Sequence, residues 1–381
     1  MFSLQHRHHF PIGIDIAHDV VRMVQLTRGP GGELAVLTAL RRPLTVPDGA
    51  AAPARARAAA DAIASVLAME GFVGRQAVVC LPGEMVHTRT LRLPTASAGS
   101  IESHPQVRAA FDFDLSTATL RLLQAGSVRH TLPEGEEIIA LAARNAELDE
   151  FTELLHERRI RAVSMEPRMF ALHRAAVRCC DENSPLALLD LGADCARMLI
   201  ARDGRIRFLK NIPASPIELA RSLARALGIG LEEAKELRRR TLAAPAAEAA
   251  GHDPVRRAVV DAGRAQVETL AAEVARCLRY HAVTFPGAQP AALVVSGPEA
   301  NDAQLHELLV AQTGVAVQTI EPFQDINLAA MRAADRNANR FEWGVAVGAA
   351  LKNVSACAGT LAAPQAAEAA RDAQPIEVAL A

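Results

Sequence analysis

Two short stretches of the chain carry the same order of apolar and polar positions. Ile14–Met23 reads IDIAHDVVRM and Leu189–Met198 reads LDLGADCARM. Asp15 matches Asp190, Asp19 matches Asp194, Arg22 matches Arg197 and Met23 matches Met198, with the copies 175 residues apart. An aliphatic residue flanks the first Asp on both sides. This pattern predicts a buried strand, a tight turn and a second strand. The first copy continues through Arg28-Gly29-Pro30-Gly31-Gly32 into Leu34–Leu37. The second turns at Asp203-Gly204 into Arg205–Leu209, and Asp-Gly is a strong two-residue hairpin signal. One match at the head of two similar hairpins points to a duplicated domain.

Helices are expected after the strands. Ile63, Val66 and Leu67 form an apolar stripe ending near Gly71, and Val267, Leu270, Ala271, Val274 and Leu278 form another. Ser215-Pro216-Ile217-Glu218 reads as a capping box with Pro at the first helical position, in a helix that stops at Gly228. Strands that open each half, followed by helices, predict an α/β architecture of two similar lobes.

Composition narrows the function classes. Half of the 381 residues are hydrophobic and 22% are charged, which fits a globular chain with a large core. A net charge of −2 argues against nucleic acid as a partner, and one Tyr and one Trp beside eleven Phe argue against a base-stacking surface. The six Cys form no C-x-x-C pair, so they read as buried thiols of a reducing compartment. Neither a signal peptide nor a run of 18 apolar residues is visible, and the expected location is cytoplasmic. Residues 1–10, with His6, Arg7, His8 and His9, and the Ala-rich residues 353–381 read as flexible tails.

Asp15 and Asp190 each close a buried strand before a tight turn. If the lobes face each other, both carboxylates look into one cleft, where paired Asp can hold a hydrated Mg²⁺ and backbone N–H groups can cradle phosphate. The alternative is that each Asp caps its own turn.

The ordered segments resemble the actin-like ATPase superfamily and, within it, the PilM family of type IV pilus assembly, related to FtsA. The resemblance runs from about Ile12 to Lys352. It rests on Gly13-Ile14-Asp15-Ile16 with Val21–Leu26, on Val78–Gly83 with Arg92-Leu93-Pro94, and on Ala142-Ala143-Arg144 with Ile160–Val163 and Met165-Glu166-Pro167. Leu189–Ala193, Glu273–Tyr280, Leu293–Gly297 and Gly344–Leu351 complete the order. The resemblance implies a duplicated, ribonuclease H-like fold. Its first lobe would take 11–75 and 159–183, an inserted subdomain 76–158, and the second lobe 184–352, with a smaller helical subdomain at 212–290.

The resemblance also implies function. Members bind the cytoplasmic N-terminus of the inner-membrane protein PilN, meet other pilus or secretion components, reach the membrane through partners, and hold ATP with Mg²⁺ between the lobes. The nucleotide residues implied are Asp15, Ala17, His18, Asp190, Gly192, Ala193, Lys235, Arg238, Gly297 and Pro298, with Asp15 and Asp190 on the metal. Several depart from the family pattern. Ala17 and His18 stand where the family has Gly and Ser, Ala196-Arg197 where it has Thr, and Pro298 where it has a second Gly. Lys235 and Arg238 stand where the family has an acidic residue and Lys. No general base for an attacking water is evident, so the implied role is a scaffold with a degenerate nucleotide site. Gly344 and Gly348 imply close helix packing or an approach to the nucleotide. Val107–Leu115 is expected as a half-buried strand, with Phe111 and Phe113 as candidate peptide contacts. The alternatives are a cytoplasmic component of a type II secretion system and an active kinase of the same superfamily.

Overall fold

In the computed structural model, the described residues are 9–354, apart from 30, 47–49, 51, 70, 95–100, 129–134, 181–183, 215, 244–253, 338 and 353, together with 377–378. The chain opens with β1 (Ile12–Ile16), β2 (Val20–Arg28), β3 (Leu34–Pro43), α1 (Ala52–Leu67) and β4 (Gln76–Leu81). An insertion follows, built from β5 (His87–Pro94), α2 (Pro105–Ala109), β6 (Ala118–Val128) and β7 (Gly135–Arg144). The chain then returns through α3 (Asn145–Glu157), β8 (Arg161–Pro167) and α4 (Arg168–Val177). The second half runs β9 (Leu186–Leu191), β10 (Ala196–Arg202), β11 (Arg205–Ile212), α5 (Pro216–Leu227), α6 (Leu231–Ala243), α7 (Pro254–Thr284), β12 (Ala292–Ser296), α8 (Ala303–Thr313) and β13 (Ala316–Thr319). It closes with β14 (Ile326–Asn327), α9 (Ala333–Asn337), α10 (Gly344–Ala350) and β15 (Glu377–Val378).

The two large sheets repeat one topology. The first is ordered β14-β3-β2-β1-β4-β8-β15 and the second β11-β10-β9-β12-β13. Removing β14 and β15 leaves the same plan, an antiparallel three-strand meander followed by two parallel strands. The repeat shows up in register. Asp15 lies opposite Arg22 and Ile14 opposite Met23, while Asp190 lies opposite Arg197 and Leu189 opposite Met198. Within each copy, the matched Asp and Arg, and the residue before the Asp and the matched Met, are therefore cross-strand partners in the same register. The Asp203-Gly204 turn has both residues at positive φ (54° and 67°), which matches the right-handed twist of the strands it joins.

Packing explains the elements. Ile63, Val66 and Leu67 of α1, with Phe151, Leu154 and Leu155 of α3, cover one face of the first sheet. Val267, Leu270, Ala271 and Val274 of α7 cover the second. A third cluster joins the lobes under α4, where Leu172 and Ala175 meet Val78 and Cys80 of one lobe and Leu188 and Leu199 of the other. Leu223, Ala234 and Val259 form the small core of the helical subdomain of α5, α6 and the start of α7. The helix α5 starts at Pro216 and ends before Gly228 (φ 65°), while Ser215 lies outside the described residues.

Several expected boundaries differ. β4 sits between β1 and β8, so residues 76–81 belong to the first lobe and not to the insertion, and α3 packs on the first-lobe core. The closing residues also return to the first lobe. β14 pairs with β3, and Trp343, Ala346, Val347 and Ala350 pack with Val24 and Leu26. The reason is a slot only glycine leaves open: a Cβ on Gly13 of β1 would lie 2.2 Å from the Ala346 carbonyl oxygen. Similarly, a Cβ on Gly348 would lie 1.8 Å from the Ala171 carbonyl oxygen of α4, so α10 and α4 cross backbone to backbone. Of the expected tails, Phe10 is buried core, its N–H donating to the Leu26 carbonyl, and Glu377–Val378 pair in parallel with β8. Residues 1–8 and most of 355–381 lie outside the described residues.

The insertion is a sheet ordered β5-β7-β6. It meets the second lobe at Tyr280 of α7, whose hydroxyl donates to the fully buried Glu137 carboxylate and accepts from Arg92 Nη2 at 2.8 Å.

Candidate functional site

The β1–β2 and β9–β10 hairpins face each other across the interlobe cleft, and the implied metal carboxylates do come together. Asp15 and Asp190 are both 1% exposed. The residue between them is one the sequence did not single out. Arg168, the first residue of α4, donates through Nη1 to Asp15 Oδ1 and faces Asp190 Oδ2 through Nη2 at 3.8 Å. Each Asp also faces the arginine across its own hairpin, Arg22 Nη1 at 3.6 Å from Asp15 Oδ2 and Arg197 Nη1 at 3.8 Å from Asp190 Oδ2. Arg22 continues to the Glu342 carboxylate before α10.

Charge and burial act against each other here. Burial is the largest effect on Asp190 and, with Asp15 and Asp194 nearby, lifts its carboxyl above the ordinary range despite Arg168 and Arg197. Burial would lower the Arg168 guanidinium, but Asp15 and Asp190 outweigh it and hold the group more firmly protonated than usual. Burial would also lift Asp194, yet Arg197 and Arg168 hold it below its usual range. Cys80 on β4 is pushed up, first by burial and then by Glu166 and Asp15.

Arg197 fills the second hairpin's turn. A Cβ on Gly192 would lie 2.6 Å from its Nη1, and a Cβ on Gly83 of the first lobe 2.5 Å from its Nη2. The guanidinium thus sits between two glycines from opposite lobes, held by the Cys195 carbonyl at 3.1 Å and Asp194 at 3.3 Å. Beside it opens a cavity of about 320 Å³, lined among others by Ala17, His18, Arg55, Gly192 and Ala193. Arg55 donates to the His18 carbonyl at 2.9 Å and to Glu84 at 3.2 Å. Ala17 closes its turn with an N–H bond to the Val20 carbonyl at 3.0 Å and does not take a positive φ, so the turn accepts its Cβ.

The adenosine-side candidates lie apart from this cavity. Lys235 pairs with Glu232 on α6. Arg238 is 5% exposed and is engaged by Glu299 through two hydrogen bonds and by Asp302 at 2.8 Å. Glu299 directly follows Gly297-Pro298. Gly297 leaves no room for a side chain, since at φ 105° a Cβ there would lie 2.4 Å from the Leu191 carbonyl oxygen.

These residues do not fit a Mg²⁺ held by Asp15 and Asp190. A divalent ion would share the gap with a buried guanidinium, and like unit charges at 4 Å repel by about 4 kcal/mol even at an effective dielectric of 20. Among the described residues no group of three or more His, Cys, Asp or Glu side chains is arranged to hold a metal ion. The turn-capping alternative is not what is seen either, because both carboxylates point to arginines.

The expected strand over Val107–Leu115 is a correction. Val107 lies in α2, Phe111–Phe113 form a bend, and Asp114 accepts from Ser116 N at 2.9 Å to cap a 3₁₀ turn at Leu115–Thr117. Pro105 at the start of α2 and the Asp114 side chain both favour turn over strand. Phe111 is buried against Ala140 and Ala142. Phe113 is half-buried, with His87 at 4.9 Å and the Arg144 guanidinium 4.5 Å from its ring centre. The His87 imidazole is pushed down by burial and then by Arg144.

Among the described residues no helix is long and apolar enough to cross a membrane. A comparison with curated proteins gives no match. Among solved structures, one described as the PilM-PilN type IV pilus biogenesis complex matches with a TM-score of 0.71 at 20% identity, covering 90% of this chain and 98% of that one. The ethanolamine utilization protein EutJ from Carboxydothermus hydrogenoformans matches at 0.51 and 14% identity, covering 90% and 89%. Both likenesses agree with an actin-like ATPase fold. The family profile described as "Type IV pilus assembly protein PilM" matches residues 13–354, and the chain belongs to that family.

Proposed function

We propose that this member of the type IV pilus machinery works as a scaffold on the cytoplasmic side of the inner membrane, where it binds the cytoplasmic N-terminal segment of a PilN-like protein. The support is the family match together with a fold shared, over nine-tenths of the chain, with the PilM-PilN complex. The observation that carries the peptide part is the Phe113 cluster. It is an aromatic side chain left half-buried on the inserted sheet, with Arg144 over its ring and His87 at its edge. Such a surface offers an extended peptide an apolar anchor beside a cation. Phe111 supports Phe113 from below at 5.5 Å. The reading assigns no turnover to the cleft and needs no nucleotide there.

Fluorescence polarisation of a labelled N-terminal segment from the neighbouring bitopic membrane protein tests it. The wild-type chain should bind, and Phe113→Ala should weaken binding about tenfold, roughly 1.4 kcal/mol. Absence of binding to every such segment would sink the proposal.

A further inference from the structure

We propose that Arg168 is a resident counter-ion that takes the place of a divalent metal between the two hairpins, so that the lobes are held together without Mg²⁺. This rests on the cleft alone and holds whichever membrane partner the chain binds.

Three observations support it. The first is position: one guanidinium reaches a carboxylate of each lobe, Asp15 and Asp190, and all three side chains are nine-tenths or more buried. The second is that nothing local favours a cation there. Arg168 is the first residue of α4, and the helix dipole disfavours positive charge at that end. Pro167 before it provides no side-chain cap. A buried arginine in that place is held by the two carboxylates and not by its own helix. The third is that a second arginine stands beside each of the two carboxylates, Arg22 by Asp15 and Arg197 by Asp190. Asp15 Oδ2 and Asp190 Oδ2 have no hydrogen-bond partner, yet Arg22, Arg168 and Arg197 stand at 3.6–3.8 Å from them. Each buried carboxylate thus has two guanidinium groups beside it, with Arg168 common to both, and a planar guanidinium does by fixed geometry what an ion would do by binding.

Thermal unfolding with and without millimolar Mg²⁺, at matched ionic strength, tests the assignment. The wild-type midpoint should be the same with Mg²⁺ as with a chelator. Arg168→Met leaves two buried carboxylates facing each other, so its midpoint should fall by several degrees, and Mg²⁺ should recover at least half of the loss where NaCl does not. Arg168→Lys, which keeps one charge in place and serves if the Met variant does not fold, should fall less and stay insensitive to Mg²⁺. A wild-type midpoint that rises saturably with Mg²⁺, a Met variant that Mg²⁺ does not rescue, or a Lys variant that Mg²⁺ stabilises would each overturn the proposal.

Discussion

The two hairpins share one register but use their arginines in opposite ways. In the first, Arg22 points away from the cleft to Glu342 and ties β2 to the segment before α10. In the second, Arg197 points into the cleft and fills the space between Gly83 and Gly192. The same cross-strand Asp–Arg pair therefore serves the interior of one lobe and the boundary between two. A duplicated motif conserves the local pairing, while the surroundings decide what the side chain's far end reaches.

That contrast can be broken at several points. Arg22→Met should have the largest effect, because it strips charge partners from the buried Asp15 and from Glu342. A loss of about 3–5 kcal/mol in chemical denaturation is expected, and a loss near zero would mean the first hairpin does not need its pair. Asp15→Asn and Asp190→Asn should come next and differ. Asp15 accepts a hydrogen bond from Arg168, whereas Asp190 meets its arginines only at 3.8 Å. The first should cost on the order of 3 kcal/mol and the second about 1 kcal/mol. Equal losses would remove the asymmetry argued above.

Glu137 sharpens the comparison from outside the cleft, with the smallest effect. Burial raises its carboxyl above the usual range, and Tyr280 and then Arg92 only partly counter this. The folded chain thus holds that proton to a higher pH than the unfolded chain does. Its contribution is full below the ordinary Glu range and fades as pH rises through the raised value. Glu137→Gln should therefore gain stability relative to wild type as pH rises from about 4 toward neutrality. A flat difference across that range would show that Tyr280 and Arg92 fully offset the burial of Glu137.

Much of this arrangement could be read from residue order. The Asp203-Gly204 hairpin, the end of α5 at Gly228 and the duplicated strand pair all follow from local chemistry that a few residues fix. The strand expected over Val107–Leu115 failed because alternating Phe and Asp satisfies a bend as well as a strand, and the Asp114 side-chain bonds decide between them. The lobe of the closing helix was illegible because it depends on Gly13 and Ala346, more than 300 residues apart, fitting backbone to backbone. Of the cleft, Asp15, Asp190, Ala17, His18, Gly192 and Ala193 could be placed from the repeat and the resemblance. Arg168 could not, since its partners are distant in sequence. Its one local signal was a basic residue directly after Met165-Glu166-Pro167, at the start of a helix where an acidic one would be expected.

The return of α10 to β1 also bears on the order in which the protein can be made. The strands of the second lobe come from residues 186–319, an uninterrupted stretch. The first lobe begins at residue 12 but leaves the slot over Gly13 open until Ala346 arrives. On the ribosome the later-encoded lobe can therefore close first. The earlier one must keep Val24 and Leu26 from unwanted contacts until the last helix emerges, which reverses the usual order of synthesis and folding.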